Sequence, residues 1–251
     1  CGVPKDIMLP NKKVTVDNGI VNFNGKPYTG KINLGTKKET SGFVTVKNGQ
    51  LDGLTDVDNK SKKISMKFNV VESKLDGELV IKNEDQKIDM IVTYSKGKII
   101  KLIGNFSENI KYNLTFKDGL ANGWFESNGE KFTFTNGITS ITDGNIKADV
   151  KYYINQETGN MGMESFSNDQ SMGKKEMPNK IFNIEYFNLS LISLQSIFAG
   201  TEPAITTSSS PFITSFAFLS SWTFLDKWGS ISDITNTGSV SSSPITISAF
   251  F

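Results

Sequence analysis

Turn dipeptides recur through the first part of this chain at Asn24-Gly25, Asn48-Gly49, Lys96-Gly97, Asp118-Gly119, Asn128-Gly129, Asn136-Gly137 and Asp143-Gly144. Asn-Gly and Asp-Gly suit the centre of a type I′ turn, where both residues need positive φ. Between the turns, apolar and polar residues alternate, as in Phe43-Val44-Thr45-Val46, Ile64-Ser65-Met66-Lys67-Phe68, Ile88-Asp89-Met90-Ile91-Val92-Thr93-Tyr94 and Tyr112-Asn113-Leu114-Thr115-Phe116. Period-two runs bounded by such turns predict antiparallel strands joined as hairpins. No helical stripe of ten or more residues is found before residue 180. The expected fold is all-β: an antiparallel hairpin-repeat sheet or an open β-meander.

A short motif also recurs. An apolar residue, a brief step and a glycine precede a new strand at Tyr28-Thr29-Gly30, Leu51-Asp52-Gly53, Leu75-Asp76-Gly77 and Leu102-Ile103-Gly104. Leu120-Ala121-Asn122-Gly123 and Ile141-Thr142-Asp143-Gly144 carry one extra residue. The glycines at 30, 53, 77, 104, 123 and 144 give a period near 23, enough for one hairpin per unit. Over residues 18–150 the pattern resembles MORN-type repeats, with Asn24-Gly25-Lys26-Pro27-Tyr28-Thr29-Gly30 the nearest match and an aromatic following the glycine at Trp124 and Phe106. The resemblance implies a twisted run of hairpins used as a scaffold or binding face, with no catalytic residues to transfer. A non-repetitive β-meander with glycine turns fits the same spacing.

The chemistry open to the chain is limited by what its sequence lacks. All 27 basic residues are lysine, with no arginine and no histidine. That removes His-containing triads, His-ligated zinc or haem, and guanidinium clamps. The single cysteine removes an internal disulfide, a Cys-based zinc site and an iron–sulfur cluster. A net charge of +1 gives no reason to expect a nucleic-acid partner. Asp56-Val57-Asp58-Asn59 begins like a calcium loop, but neither the glycine at position six nor the acid at position twelve follows. No cofactor and no metal are expected.

The cysteine is residue 1, followed by Gly2-Val3-Pro4. This beginning resembles a mature bacterial lipoprotein, in which the first cysteine carries acyl chains. The resemblance implies lipidation of Cys1 and a place in the bacterial cell envelope, at the outer membrane or cell surface, with several acyl chains giving stable attachment. Residues 1–17, with Pro4, Pro10 and several lysines, read as a tether.

Residues 18–153 read as the hairpin domain, residues 154–180 as a linker, and residues 181–251 as an apolar segment rich in Ser, Thr and Phe. Only Glu185, Glu202, Asp226, Lys227 and Asp233 are charged in that last segment. Its alternation at Phe212, Phe216, Phe218, Trp222 and Phe224 suggests further strands rather than a membrane helix. The abrupt loss of lysine is also what a shifted reading frame leaves.

These features point to a non-catalytic binding scaffold with a protein or glycan partner. Tyr28, Tyr94, Trp124 and Tyr152 are its candidate binding residues, as exposed aromatic platforms. Two other readings stay open. An assembly subunit would use residues 181–251 for self-association by strand addition. A hydrolase using carboxylates alone, such as a glycosidase, would draw its acid pair from residues such as Glu72, Asp76, Glu78, Glu84, Asp85 and Asp89.

Overall fold

The structure is a computed structural model that describes residues 2–177, apart from 18–19, 35–39, 61–62 and 144. Cys1, Gly144 and the expectations for residues 181–251 fall outside the described residues. Within them the chain is all-β, with many strands and no helix. Nearly every strand pairs antiparallel with its successor. The series runs from Gly30–Asn33 and Thr40–Lys47 through Ile88–Ser95, Lys98–Asn105, Ile110–Lys117 and Leu120–Ser127 to Ile146–Ile154, Met161–Ser167 and Gln170–Met177. One pairing differs: Asp6–Met8 lies parallel to Gly30–Asn33. Val14–Asp17, Ile20–Phe23 and Lys26–Pro27 form a small separate antiparallel sheet.

Alternation separates two faces. In Ile64–Val71 every second residue from Ile64 is buried, and Ile88–Ser95 and Ile110–Lys117 repeat this from Ile88 and Ile110. Leu79, Leu114, Val70 and Ala121 are fully enclosed. Each enclosed leucine contributes about 1.5–3 kcal/mol of burial. Aromatic contacts tie hairpins together inside this face: Phe116 and Phe134 both meet the Tyr152 ring, at 5.6 and 5.7 Å between centroids.

The turns supply the repeat. Asn24, Asn48, Glu72, Lys96 and Asp118 all have φ near +50°, at intervals of 24, 24, 24 and 22 residues. The turns at Asn48, Lys96 and Asn136 rest on the motif before them. The Asn48 N–H donates to Thr29 Oγ1 at 2.8 Å, and the Gly49 N–H to the Tyr28 carbonyl at 2.7 Å. One pair of hairpins later, the Lys96 N–H donates to Asp76 Oδ1 at 2.9 Å and the Gly97 N–H to the Leu75 carbonyl at 2.8 Å. The Asn136 N–H then donates to Asn122 Oδ1 at 2.9 Å, and the Gly137 N–H to the Ala121 carbonyl at 2.8 Å. In bonding terms Ala121 therefore stands where Tyr28 and Leu75 stand. Counted from these hydrogen bonds, the motif in Leu120-Ala121-Asn122-Gly123 begins at Ala121, and Leu120 precedes it.

Leu-Asp-Gly is also a register device. Val46 pairs with Leu51, yet Phe43 pairs with Asp56, so the second strand holds two additional residues around Asp52-Gly53. Val70 with Leu75 and Lys67 with Val80 show the same offset around Asp76-Gly77. Such bulges bend a strand and increase its twist. Gly104 answers a different need. Its φ is +117°, and a Cβ there would overlap the Asp89 main-chain carbonyl on the paired strand. Gly42 and Gly123 sit the same way, against the carbonyls of Asp56 and Asn113.

Two segment boundaries differ from the sequence reading. Within residues 1–17, Asp6–Met8 and Val14–Asp17 are strands, and Ile7 and Leu9 are buried. Prolines and lysines hid the first of these, because the three-residue strand Asp6–Met8 offers a single inward position. Tyr28 fixes the segment by donating its hydroxyl to the Pro4 carbonyl at 3.0 Å. Within residues 154–180, Met161–Ser167 and Gln170–Met177 form a hairpin that extends the sheet. Met161 and Met163 there are inward core residues. Asn155–Asn160 is a turn, closed by the Asn155 N–H donating to the Asn160 carbonyl at 2.8 Å, and Asn168-Asp169 turns the hairpin itself.

Candidate binding face

Following the register from strand to strand on the outward face produces a line that no single stretch of sequence contains. Met8 lies beside Asn33, Asn33 beside Phe43, Phe43 beside Asp56, and Asp56 beside Lys67. Lys67 then meets Val80, and Val80, Ile91 and Ile103 stand in three adjacent strands. Asn113, Trp124 and Thr133 complete the row. Neighbouring members are one strand spacing apart, about 4.8 Å. Met8 and Ile91 are exposed, while Phe43, Val80, Ile103 and Trp124 are half-buried.

The row has distinct margins. On one side Lys82, Asp89, Asn105, Lys111, Glu126 and Lys131 follow in register, so cations and anions alternate. Lys111 approaches Glu126 at 3.4 Å, Lys82 approaches Asp89 at 3.9 Å, and Lys131 Nζ lies 4.3 Å from the Trp124 ring centroid. On the other side Glu78, Thr93, Lys101, Thr115 and Asn122 form a mixed polar row. At the far end of the face Lys31 Nζ sits 4.0 Å from the Phe43 ring centroid.

A second polar cluster centres on Tyr153. Its register partner Gly162 has no side chain, and the Tyr153 ring occupies the place a Cβ would take. The hydroxyl reaches past that strand and donates to Glu176 Oε1 at 2.9 Å. Asn155 Nδ2 donates to the same carboxylate at 3.2 and 3.3 Å, and Lys174 Nζ lies 3.4 Å from it. These partners, led by the Tyr153 hydrogen bond, hold the Glu176 carboxyl below its ordinary value. Tyr153 and Glu176 in turn raise Lys174. Burial, above all, raises the Tyr153 phenol. Beside the ring is an open depression of about 400 Å³, bounded by Asp118, Leu120, Lys151, Asn155 and Glu157 among others. The cluster is internally satisfied and holds the last two strands in place.

The four aromatic residues expected to be exposed divide unequally. Tyr28, Tyr94 and Tyr152 are core residues, with 1%, 2% and 4% of their surfaces exposed, and burial raises all three phenols. This corrects their reading as platforms. Tyr94 and Tyr152 share the inward parity of Ile88 and Val150, and Tyr28 takes the apolar place of the turn motif. Trp124 alone lies on the outward face, in the row. Phe43 and Tyr153 were missed. Strand parity marks Tyr153, since Val150, Tyr152 and Ile154 point inward and leave Lys151 and Tyr153 outward. Among the acids considered for a hydrolase, the Asp76 carboxylate accepts the Lys96 N–H and Asp85 is paired with Lys63 at 2.8 Å. Among the described residues no three acidic or thiol side chains come together as a metal site.

No protein-family model, no curated protein and no solved structure matches this chain.

Proposed function

We propose that this protein is a non-catalytic binding scaffold that presents the outward face of its hairpin sheet to a partner. The carrying observation is the register row through Val80, Ile91, Ile103 and Trp124, an apolar line between two polar margins on an all-β frame. A partner lying along it would bury Ile91 and the exposed part of Trp124, and aromatic and apolar anchors of this kind carry most of the energy in many interfaces. The frame favours such use, since turn-to-motif hydrogen bonds fix each hairpin on its neighbour and limit the ordering cost of binding.

Attachment through acyl chains on Cys1, in the bacterial cell envelope, is a separate part of the proposal. The folded strand at Asp6–Met8 would then hold the sheet close to the lipid surface. Mass analysis of the N-terminal peptide from protein made in a lipoprotein-processing bacterium tests it: a diacyl- or triacyl-glyceryl adduct is expected, and an unmodified cysteine would end this part.

The face itself is tested by a photo-crosslinking residue placed at Ile91 and, in a second variant, at Lys117. The first should give an adduct in envelope preparations and the second should not. Adducts at neither position, or equally at both, reject the row as the binding face.

A further inference from the structure

We infer that the occupant of the row is an uncharged, extended polysaccharide of the β-1,4-linked, ribbon-like kind, lying across the strands. This inference rests on the proposed role of the outward face and adds the chemical class of its partner. A ribbon of equatorially substituted sugars has apolar C–H faces and hydroxyls along both edges. The outward row has the complementary section. Its floor is Val80, Ile91, Ile103 and the Trp124 ring, in register on neighbouring strands except for Asn113, which stands between Ile103 and Trp124.

Each margin supplies both hydrogen-bond donors and acceptors. Lys111 and Glu126 represent one side, and Thr93 and Thr115 the other. Sugar hydroxyls both donate and accept, so margins of one polarity would satisfy only half of their capacity.

Charge narrows the choice. Lys82, Lys111 and Lys131 on the charged margin are countered by Asp89 and Glu126 within the same row, and the chain as a whole is close to neutral. A nucleic acid or an anionic lipid surface requires an excess of positive charge at the contact, and this face does not present one. Geometry supports an elongated ligand. The floor spans five strands from Val80 to Trp124, so each added sugar meets about one more strand at a spacing of about 4.8 Å. Lys131 Nζ lies over the Trp124 ring, 4.3 Å from its centroid, and can donate to a hydroxyl of a sugar that takes its place on the ring or packs at the ring edge.

The test uses the full chain, with cellulose and chitin as solid phases and cellohexaose, cellobiose, chitohexaose and chitobiose as soluble probes. Heparin serves as the anionic comparison. At least one polymer should retain the protein, and its hexasaccharide should bind at least about tenfold tighter than its disaccharide. Ile91→Lys and Trp124→Ala should each weaken hexasaccharide binding by about tenfold with an unchanged melting temperature. Ile91→Thr, milder at the same position, serves if the lysine variant does not fold. Absence of retention on both polymers, equal binding of short and long probes, stronger binding to heparin, or indifference to the Ile91 and Trp124 changes would each overturn the inference. The crosslinker at Ile91 separates the two levels. A protein adduct there rejects the polysaccharide and keeps the face, whereas loss of any adduct removes both.

Discussion

On strand Ile110–Lys117, Ile110, Tyr112, Leu114 and Phe116 are buried, while Lys111, Asn113, Thr115 and Lys117 lie on the other face. The inner set meets one requirement, apolar bulk without a gap, and its members exchange roles freely: isoleucine, methionine, valine and leucine recur at equivalent places. The outer set is arranged by zone, with an apolar line and two polar margins. One pleated strand thus serves both faces with alternate side chains, but only the inner choice is enforced by the removal of water. An outer residue such as Ile91 keeps 36% of its surface in water and contributes less to folding than an enclosed neighbour. The solvated part of its side chain stays available for recognition.

The sharpest break in this comparison comes from the inner face. Gly104→Val should lower stability by about 4 kcal/mol or more, because the new side chain meets the Asp89 carbonyl at a φ that valine rarely adopts. Urea unfolding measures it, and a loss below about 1 kcal/mol would show that the strands part easily at this point.

Next comes a matched pair. Leu114→Ala should cost about 3 kcal/mol, whereas Ile91→Thr should stay within about 0.5 kcal/mol. Similar losses for both would mean that the outward row is buried in solution, against the account of the two faces.

Gly162→Ala is intermediate although it lies on the outer face. It should cost about 1–2 kcal/mol by displacing the Tyr153 ring, and Tyr153→Ala in the same chain should recover part of the loss. Additive losses in the double variant would remove the ring contact as the cause.

Smallest is the effect of Glu176. Its carboxyl is held below the ordinary range in the fold, so its stabilisation is present at pH above that range and fades as acid protonates it in the native state. Because the group is solvent-accessible, Glu176→Gln should cost no more than about 0.5 kcal/mol at neutral pH. Stability of the two proteins should converge on acidification below the ordinary carboxylate range, and a gap that widens there would reverse the assignment.

The inner face was legible because alternation within one strand is enough to define it. Ile64-Ser65-Met66-Lys67-Phe68 shows its own buried side, and Asn48-Gly49 and Asp118-Gly119 show where strands reverse. The outward row was not legible. Val80, Ile91, Ile103 and Trp124 come into line only through registers set in turns and bulges, and the offset at Asp76-Gly77 shifts the later pairings of its own hairpin. Glu72-Ser73 shows the same limit at a turn. Both residues take positive φ, yet neither is among the types that announce a type I′ turn, and the pairing of Val71 with Lys74 closes the hairpin around them. Tyr152 and Tyr153 are adjacent identical residues with opposite fates, and only parity with Val150 and Ile154 separates them.

The contacts between turns and motifs have a consequence for how such a molecule can change over time. Since Asn48 bonds to Thr29, and Lys96 to Asp76, in the same manner, a duplicated pair of hairpins of the length between these two turns would meet neighbours it already fits. Gain or loss of one such module would widen or narrow the sheet by four strands, roughly 20 Å. An insertion of five residues within a module has no such escape and must bulge out as a loop. Gene-level duplication and deletion could thus tune the reach of this surface in fixed steps, as links are added to or taken from a chain.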